Sequence, residues 1–440
     1  MKKGIAPAQI IILGFLVMIL FGALLLMLPL SSTIVGGTSF INALFTSTSA
    51  VCVTGLVVVD TGTFWSGFGK FVIISLIQIG GLGFMTITTF GAIVVGKKIG
   101  IKNRLLIKES LGQNTIQGIV NLTKKIFLGT VIIEVVGALL LATQFIPIFG
   151  FKDGIIKSIF HSISAFCNAG FDIMGNFESL TRFQSNIVLN VTIMLLIILG
   201  GIGFTVIIDY GHERKFKRIS LHSKIAISMT VFLLIFGTLV IFGFERNNPL
   251  TLGGMNLFDK IMGSAFQSVS PRTAGFNSID LVAMTDSSKF FMLLLMFIGG
   301  SPASTAGGIK TTTIAVLILT TVAFVRNKDV EAFGRRINYR VVNKAMTIMV
   351  IALLVIITGA MLLSILNPEL EFMDLLFEVV SAFGTVGLTL EITTKLTSFS
   401  KLVIIFIMFA GRVGALTIVM ALAGRDKRID YQLPEGSVIL

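Results

Sequence analysis

The stretch SAVCVTGL at residues 49–56 has three relatives elsewhere in the same chain. Residues 164–171 read SAFCNAGF and residues 381–388 read SAFGTVGL in the same frame, while residues 270–276 carry the looser copy SPRTAGF. The shared glycines lie 105 to 115 residues apart, at Gly55, Gly170, Gly275 and Gly387. Self-similarity at a regular spacing is the signature of repeated structural units, so the sequence predicts four repeats.

A second glycine-rich pattern follows each copy. It reads GGLGF at 80–84, GGIGF at 200–204, Gly299-Gly300 in the third repeat and GRVG at 411–414. Two patterns that recur four times in the same order strengthen the prediction of four repeats.

The composition excludes a soluble globular protein. Of the 440 residues, 54% are hydrophobic and only 13% are charged, and the mean hydropathy is +0.95. Soluble domains carry about 25% charged residues, and so few charges cannot cover the surface of a soluble protein of this size. The chain is therefore predicted to be an all-α polytopic membrane protein.

Eight stretches are long and apolar enough to cross a bilayer, which takes about 20 residues. They are residues 10–30, 71–95, 126–149, 187–208, 225–244, 290–325, 345–366 and 402–423, and the sixth is interrupted in its middle. Four shorter half-apolar segments lie between the spans of each pair, at 39–51, 154–166, 259–270 and 371–383. Runs of this length are typical of re-entrant segments.

Together these elements predict four membrane-pore-membrane repeats in a pseudo-fourfold arrangement, with eight transmembrane helices, four re-entrant pore helices and four filter loops. The predicted repeats are residues 1–105, 106–212, 213–330 (with the broken second helix) and 331–424, and residues 425–440 form a C-terminal tail.

The basic residues predict the orientation. The formal net charge is +13, and most of the 35 lysines and arginines lie at the N-terminus and at 97–125, 214–224, 326–344 and 425–428. Because such residues favour the cytoplasmic side, both termini and the tail are predicted to be cytoplasmic, and the four re-entrant loops face outwards. This pattern explains the basic character, so no nucleic-acid partner is expected, although the basic loops can meet anionic membrane lipid.

Few residues are suited to metal binding or catalysis. Cys52 and Cys167 make no disulfide framework, and His161, His212 and His222 are scattered. We find no nucleotide-binding fingerprint and no nucleophile motif, so the chain is not predicted to be an enzyme. Any nucleotide is expected to act through another chain.

The four glycine loops predict a cation filter. Non-helical backbone at membrane depth is tolerated where it lines a water-filled path or is buried in protein. Glycine permits positive φ, which lets successive carbonyls turn towards one axis, and rings of carbonyls replace the hydration shell of potassium in selectivity filters. The predicted potassium-binding filter consists of Val53, Thr54, Gly55, Asn168, Ala169, Gly170, Thr273, Ala274, Gly275, Thr385, Val386 and Gly387, with one good site at the four glycines.

The four loops, the segment GGSPASTAGGIK at 299–310 and the stretch AGRVG at 410–414 resemble the Trk/Ktr/HKT superfamily of cation transporters over nearly the whole chain. Eight spans without an additional N-terminal helix pair look closer to the KtrB-type membrane subunits of bacterial Ktr potassium uptake systems than to TrkH. Minor departures are the cysteines Cys52 and Cys167 beside two filter loops and Pro302 in the break.

The resemblance implies potassium uptake across a bacterial cell membrane by a homodimer with one pore in each protomer. It also implies stimulation by sodium and a cytosolic ring of KtrA-type nucleotide-binding subunits that gates the pore. Within the superfamily, glycine at all four filter positions goes with potassium, and serine in the first loop goes with sodium. Gly55 therefore favours potassium.

The break in the sixth span predicts a gate. Residues 299–312 contain four glycines, a proline and several hydroxyl residues, which is incompatible with a plain helix in lipid, and the resemblance implies an intramembrane gate loop there. A charge in the middle of a span costs at least about 2.5 kcal/mol, so Arg412 is expected to face protein or water, where it can repel cations. The predicted gate consists of Gly299, Gly300, Ser301, Ala303, Ser304, Thr305, Ala306, Gly307, Gly308, Lys310 and Arg412.

Some of these residues have simpler interpretations. The glycine pairs that start at Gly80 and Gly200 are best explained by close helix packing. Arg412 can instead be a buried salt-bridge partner of Glu134 or Asp209.

Three polar residues also keep two interpretations. Lys310 either pairs with a carboxylate in the pore or reaches towards the cytoplasm. Asp60 and Asp172, just outside their filter loops, either concentrate cations at the mouth or cap loops.

Other classes of function remain as alternatives. A sodium-preferring cation transporter would share the same fold. A secondary transporter for a small solute would be expected to show inverted repeats, whereas the four repeats here run in the same direction. A membrane enzyme would need a catalytic constellation, which the sequence does not offer.

Overall fold

The computed structural model describes residues 7–34, 36–83, 86, 89, 100–110 and 117–423, and this part of the chain is predominantly helical. Its α-helices are α1 (Pro7–Met27), α2 (Phe40–Cys52), α3 (Gly67–Leu82), α4 (Ile101–Ser110), α5 (Ile119–Phe149), α6 (Phe151–Phe166), α7 (Ile187–Gly201), α8 (Phe204–Glu213), α9 (Leu221–Glu245), α10 (Leu257–Val269), α11 (Asp286–Phe297), α12 (Thr311–Val325), α13 (Tyr339–Leu366), α14 (Phe372–Gly384), α15 (Ser398–Val413) and α16 (Ala415–Ala423). Strands β1 (Glu331–Ala332) and β2 (Arg335–Arg336) form an antiparallel hairpin between α12 and α13.

Four of the described helices are long and apolar enough to cross a membrane: α1 over Gln9–Met27, α5, α9 and α13. They correspond to the first, third, fifth and seventh predicted spans. Large apolar side chains stand on their outer surfaces, among them Leu24, Leu139, Leu239 and Ile365. Such exposure is expected of a surface that meets lipid rather than water.

The other four predicted spans are not single unbroken helices. Of the second, expected at 71–95, the described part is α3, and most of the remainder lies outside the described residues. The fourth, expected as one helix at 187–208, is bent by 94° between α7 and α8. The eighth, expected as one helix at 402–423, is divided into α15 and α16. The sixth, where a break was predicted, is divided between α11 and α12.

Single glycines explain the interruptions in the fourth and eighth spans. Gly203 stands between α7 and α8 with φ 101°, and Gly414 stands between α15 and α16 with φ 92°. These φ values lie outside the helical region and are open to glycine at little cost. The prediction of unbroken fourth and eighth spans was wrong because both ranges are apolar throughout, and one glycine hardly changes their hydropathy.

The four short helices predicted at 39–51, 154–166, 259–270 and 371–383 are confirmed as α2, α6, α10 and α14. The side chains of Ser39 and Asn256 accept hydrogen bonds from the backbone N–H groups of Asn42 and Asp259, which caps α2 and α10 at their N-termini. The final turns of all four helices are buried. These helices therefore carry their C-terminal loops into the interior of the protein.

Each short helix packs closely on the long helix before it. In three cases a long-helix glycine faces a short-helix serine, and a Cβ at the glycine would come within 3.0 Å of the serine hydroxyl. The same hydroxyls donate to the long-helix carbonyls of Ile19, Glu134 and Leu234. Small residues permit such close helix approach. The pairs are Gly22 with Ser47, Gly137 with Ser162 and Gly237 with Ser268; Gly359 meets Val379 and Ile407 instead.

The glycine-rich patterns also pack against the short helices. A Cβ at Gly80, Gly200 or Gly411 would collide with the backbone carbonyl oxygen near the end of α2, α6 or α14, respectively. The prediction that the pairs beginning at Gly80 and Gly200 serve close packing is thus confirmed.

Candidate functional site

Each short helix leads into its loop through one residue in the left-handed conformation, two positions before the glycine. Non-glycine residues adopt this conformation at a cost of about 1–2 kcal/mol. Strain repeated at four equivalent positions indicates that the loops need this backbone geometry. The residues are Val53 (φ 57°), Asn168 (φ 59°), Thr273 (φ 68°) and Thr385 (φ 50°), and the glycines that follow have φ between 66° and 91°.

A serine at the C-terminal end of each short helix holds the loop by its main chain. The serine carbonyl accepts a hydrogen bond from the residue immediately before the glycine, over 2.8 Å in three loops and 2.9 Å in the third loop. The serines are Ser49, Ser164, Ser270 and Ser381, and the donors are the N–H groups of Thr54, Ala169, Ala274 and Val386.

The serine hydroxyls divide the loops into two pairs. In the first and fourth loops the hydroxyl accepts from the N–H of the glycine itself, Gly55 or Gly387, over 3.1 Å. In the second and third loops the hydroxyl donates to the carbonyl of the residue after the glycine, Phe171 or Phe276. The four loops share one shape but use two hydrogen-bond patterns, which the sequence copies did not reveal.

The four loops form a closed ring, which we call the glycine ring (residues 53–55, 168–170, 273–275 and 385–387). A Cβ at any of its glycines would lie within 3.0 Å of the carbonyl oxygen that precedes the glycine of the next loop. Because these contacts follow chain order and the last returns to the first loop, the four loops surround one point. The contacts are Gly55 with Ala169, Gly170 with Ala274, Gly275 with Val386 and Gly387 with Thr54.

The chemistry of the glycine ring is that of backbone carbonyls. None of its residues carries a charged side chain, and Thr54, Asn168, Ala274 and Val386 are fully buried. Carbonyl oxygens gathered around one axis can replace the water shell of a monovalent cation. Within the described residues, no group of His, Cys, Asp and Glu side chains is arranged to hold a metal ion.

A cavity of about 340 Å³ borders all four ring glycines. Three acidic residues line it, Asp172, Asp280 and Glu391, together with Lys395. Burial raises the pKa of the Asp172 carboxyl to about 6; the nearby Asp60 and Glu178 also raise it, whereas the Met174 N–H and Lys157 lower it. The cavity walls thus combine negative charge with one basic side chain beside the ring.

The two acidic residues that the sequence left undecided both cap loops, and one of them also lines the cavity. Asp172 lines the cavity, and its carboxylate accepts a hydrogen bond from the N–H group of Met174 over 3.0 Å. The Asp60 carboxylate accepts hydrogen bonds from the N–H groups of Thr63, over 2.8 Å, and Phe177, over 3.2 Å. Asp60 therefore caps its own loop and joins it to the second loop.

The segment predicted as a gate is also part of the site. Its residues 299–310 form non-helical backbone that is buried or partly buried. Their main chain is held by hydrogen bonds to helix ends rather than by an internal helix. Ser301 N donates to Gly201 O over 2.8 Å, Phe204 N donates to Ala303 O over 2.8 Å, and Gly299 N donates to Ile309 O over 2.9 Å. The break between α7 and α8 supplies the first two partners, whereas Ile309 lies within the segment itself.

This segment touches the glycine ring directly. The hydroxyl of Thr305 lies 3.2 Å from two acceptors to which it donates, Oδ1 of Asn168 and Phe166 O at the end of α6. The amide of Asn168 donates to Arg272 O over 3.2 Å, at the entrance to the third loop. A side chain at Gly307 would collide with Thr385 of the fourth loop. The segment predicted as a gate therefore contacts the second and fourth loops of the ring.

Arg412 binds backbone carbonyls and not a carboxylate. Its guanidinium donates to Thr305 O in the segment, and to Gly80 O and Gly81 O at the end of α3. The alternative salt bridges are absent among the described residues: Glu134 accepts from Gln78 over 3.1 Å, and Asp209 accepts from Ser223 and Ser220.

Lys310 and the two cysteines also have local roles. The ammonium of Lys310 donates to Ala306 O over 2.7 Å, within its own segment, and none of the ion pairs among the described residues involves Lys310. Cys52 and Cys167 are buried free thiols. Both lie in the interior, where they fill space as small side chains.

The sequence missed several residues of the site. Asp280, Glu391 and Lys395 line the cavity but stand 4 to 8 residues beyond their glycines, in stretches that do not resemble one another. Only the acidic character of the loops following the glycines hinted at them. The contact between Asn168 and Thr305 joins residues 137 positions apart and has no local signal.

Comparison with known proteins gives consistent matches. A family model described as TrkH, cation transport protein, matches residues 6–429. The chain is 45% identical over 433 residues to Ktr system potassium uptake protein B of Bacillus subtilis (strain 168), covering 98% of this chain and 96% of that protein. It is 43% identical over 445 residues to potassium/sodium uptake protein NtpJ of Enterococcus hirae, covering 100% and 98%.

A solved structure has the same fold. The potassium transporter TrkH from Vibrio parahaemolyticus superimposes with a TM-score of 0.72 at 20% identity, covering 95% of this chain and 85% of that chain. At this identity the likeness concerns the fold alone.

Proposed function

Because the chain belongs to the TrkH family of cation transport proteins, we propose that this multi-pass membrane protein takes up potassium across the cell membrane through the glycine ring. The observation that carries the proposal is the ring itself. Each glycine lies so close to the carbonyl before the next glycine that no side chain fits, and the four contacts close on themselves. The names of the two relatives above, which refer to potassium uptake and to potassium/sodium uptake, support potassium as the substrate.

In this proposal the chain crosses the membrane eight times, as four repeats at residues 1–105, 106–212, 213–330 and 331–424, followed by the tail 425–440. The interrupted helices count as spans because one of them follows each short helix along the chain. They begin with α3, α7, α11 and α15. Both termini lie in the cytoplasm, and the cavity that borders the ring opens to the outside.

Potassium binds among the carbonyls next to Gly55, Gly170, Gly275 and Gly387. The two hydrogen-bond patterns of the loop serines make the ring less symmetric than four identical loops would be. This is consistent with one good site at the glycines and less regular positions at the other residues of the ring. The alternative substrate is sodium, which would use the same carbonyls.

The segment 299–312 and Arg412 form the gate of the proposed pathway. The segment touches the ring through Thr305 and Gly307, and Arg412 fastens it to α3. A guanidinium next to this segment places positive charge on the route of a cation, which opposes passage until the segment moves.

The regulatory partner is a cytosolic ring of KtrA-type nucleotide-binding subunits, and the membrane unit is a homodimer. The Bacillus subtilis relative, which is named as part of a Ktr system, supports a partner subunit. Nucleotide acts only through that partner, and sodium stimulates uptake.

The test is cation uptake by a bacterium that lacks its own potassium uptake systems. We expect the wild-type chain to restore growth at low potassium, with stronger uptake when a KtrA-type partner is co-expressed. Gly55→Ser should reduce the preference for potassium over sodium. Gly129→Ser is the matched control, because Gly129 lies in α5 with open space around it.

The outcomes separate the candidates. No growth with a correctly inserted wild-type chain, with or without the partner, would overturn the proposal and favour a small-solute transporter. Sodium uptake without potassium uptake would reassign the substrate to sodium.

A further inference from the structure

The carboxylate of Glu378 is fully buried in the fourth short helix, α14. Its Oε2 accepts a hydrogen bond from the hydroxyl of Thr389 over 2.7 Å, and its Oε1 accepts from the hydroxyl of Thr393 over 2.5 Å. None of the ion pairs in the described part of the chain involves Glu378. A buried carboxylate is costly unless it is hydrogen-bonded, so its attachment to these two threonines is its main compensation.

Both threonines belong to the segment that follows the fourth ring glycine. Thr389 comes two residues and Thr393 six residues after Gly387, and both line the cavity that borders the ring. The same segment also contributes Glu391 and Lys395 to the cavity wall. Glu391 has a strained φ of 63°. One carboxylate therefore holds a strained segment of the cavity wall at two points.

The other three repeats lack this attachment. The position three residues before the loop serine is polar in every short helix: Thr46, His161, Gln267 and Glu378. In the described chain, the Thr46 hydroxyl, Nε2 of His161 and the Gln267 amide have no hydrogen-bond partner. Nδ1 of His161 contacts only Lys157 O of its own helix. The carboxylate at this position is thus specific to the repeat whose post-glycine segment makes up much of the cavity wall.

We propose that Glu378 is a positioning residue for cation selection, because it ties residues 387–395 to α14 and so fixes the fourth side of the cavity and of the glycine ring. The inference rests on the proposed function of the ring. Glu378 does not touch the cation; it acts through Thr389 and Thr393. Loss of the tie should let the segment after Gly387 relax, which would loosen the fourth set of carbonyls relative to the other three.

The test measures potassium uptake and its inhibition by sodium in proteoliposomes that contain the full chain with its partner subunit. Glu378→Ala should raise KM for potassium about tenfold, the scale of two lost hydrogen bonds between neutral groups, and weaken the preference over sodium, with the maximal rate largely kept. Thr389→Val with Thr393→Val should reproduce this effect, since both changes keep side-chain volume.

Two further variants distinguish the hydrogen bonds between Glu378 and the two threonines from the charge of Glu378 and from packing within the short helices. Glu378→Gln keeps one acceptor and adds a donor, so it can still bond both threonines and should restore nearly wild-type KM and preference. Gln267→Ala, at the equivalent position without partners, should leave KM unchanged.

Wild-type KM and preference in Glu378→Ala or in the threonine double variant would overturn the inference. A Glu378→Gln variant as defective as Glu378→Ala would overturn it as well, because charge and not the tie would then matter. Fewer active molecules with unchanged KM would show a merely structural role.

If the Glu378→Ala protein does not insert into the membrane, the double variant Thr389→Val with Thr393→Val decides the test. Absence of uptake by the wild-type chain would overturn the proposed function and this inference together, whereas wild-type uptake with unaffected variants overturns only the inference.

Discussion

Arg412 donates a hydrogen bond to the carbonyl oxygen of Thr305, and so ties α15 to the non-helical segment 299–312. The same guanidinium donates to Gly80 O and Gly81 O of α3. These carbonyls are available because both the segment and the end of α3 depart from regular helix. One cationic side chain therefore joins three parts of the chain that lie far apart in sequence.

Arg412→Ala should raise cation flux through the protein in the absence of its partner subunit by about tenfold. Hydrogen bonds from a charged donor contribute about 1.5–3 kcal/mol each, and their loss frees the segment while removing a positive charge from the pathway. Radioactive rubidium efflux from proteoliposomes measures this leak. Arg182→Ala is the control, because Arg182 pairs with Glu178 in an exposed loop; equal leak in the wild-type and Arg412→Ala proteins would contradict the gate assignment.

Thr305→Val should give a smaller rise in the same leak, about threefold, as expected for one neutral hydrogen bond. The hydroxyl of Thr305 donates to Asn168 of the ring and to Phe166 O of α6, whereas its carbonyl, which accepts from Arg412, is unaffected by the change. Valine has nearly the same shape as threonine, so packing is preserved.

The control for this change is Thr321→Val. Thr321 donates only to the carbonyl of Leu317 in its own helix, α12. A leak from Thr305→Val that matches the control would show that the segment and the ring move independently.

Local sequence patterns were sufficient to predict the four short helices, the four loops and the break in the sixth span. Each depends on residues within a few positions of one another, such as the run from Ser381 to Gly387. Whether the loops meet in a ring depends on contacts such as Gly170 with Ala274, across about 100 residues, and only the repeat made that expectation reasonable.

The partners of Arg412 could not be predicted for a physical reason. A sequence shows carboxylates as candidate partners, and Glu134 and Asp209 were the obvious choices. It does not show which backbone carbonyls are released when helices break, and those are the groups that Arg412 binds. The helix interruptions at Gly203 and Gly414 were missed for a related cause, since apolar composition continues through them.

Potassium affinity should fall as the external pH drops through about 6, because burial raises the pKa of Asp172 to about 6. Above that pH the carboxylate is negative and attracts cations into the cavity; below it the attraction is lost. The loss of one negative charge in the cavity wall should raise KM for potassium about threefold. The remaining charged residues that line the cavity are Asp280, Glu391 and Lys395, and Asp60, Glu178 and Lys157 act on Asp172 from nearby.

The ionisation of Asp172 affects the free energy of unfolding in the opposite direction to that of an ordinary salt-bridged aspartate. A raised pKa means that the fold disfavours the charged form, so protonation at low pH stabilises the folded state and acid unfolding through this group is not expected. Asp172→Asn should show the higher KM at pH 7 and pH 5 alike, which uptake measurements at about these two values test. Asp286→Asn, an exposed residue at the start of α11, should keep the wild-type pH dependence; a similar loss there would remove Asp172 as the cause.

Gly170→Ala should abolish selective uptake while leaving the protein in the membrane. Gly170 has φ 66°, and a Cβ there would stand 2.7 Å from Ala274 O and 2.8 Å from the Cα of Gly275. The left-handed backbone costs alanine about 1–2 kcal/mol, and the third loop must also move, which displaces carbonyls on two sides of the ring. Gly129→Ala, in an open stretch of α5, adds the same methyl group without a neighbour and should transport normally. Potassium uptake with wild-type preference in Gly170→Ala would mean that the glycine contacts do not define the cation site, since a ring that tolerates a methyl group between its loops cannot depend on their close approach.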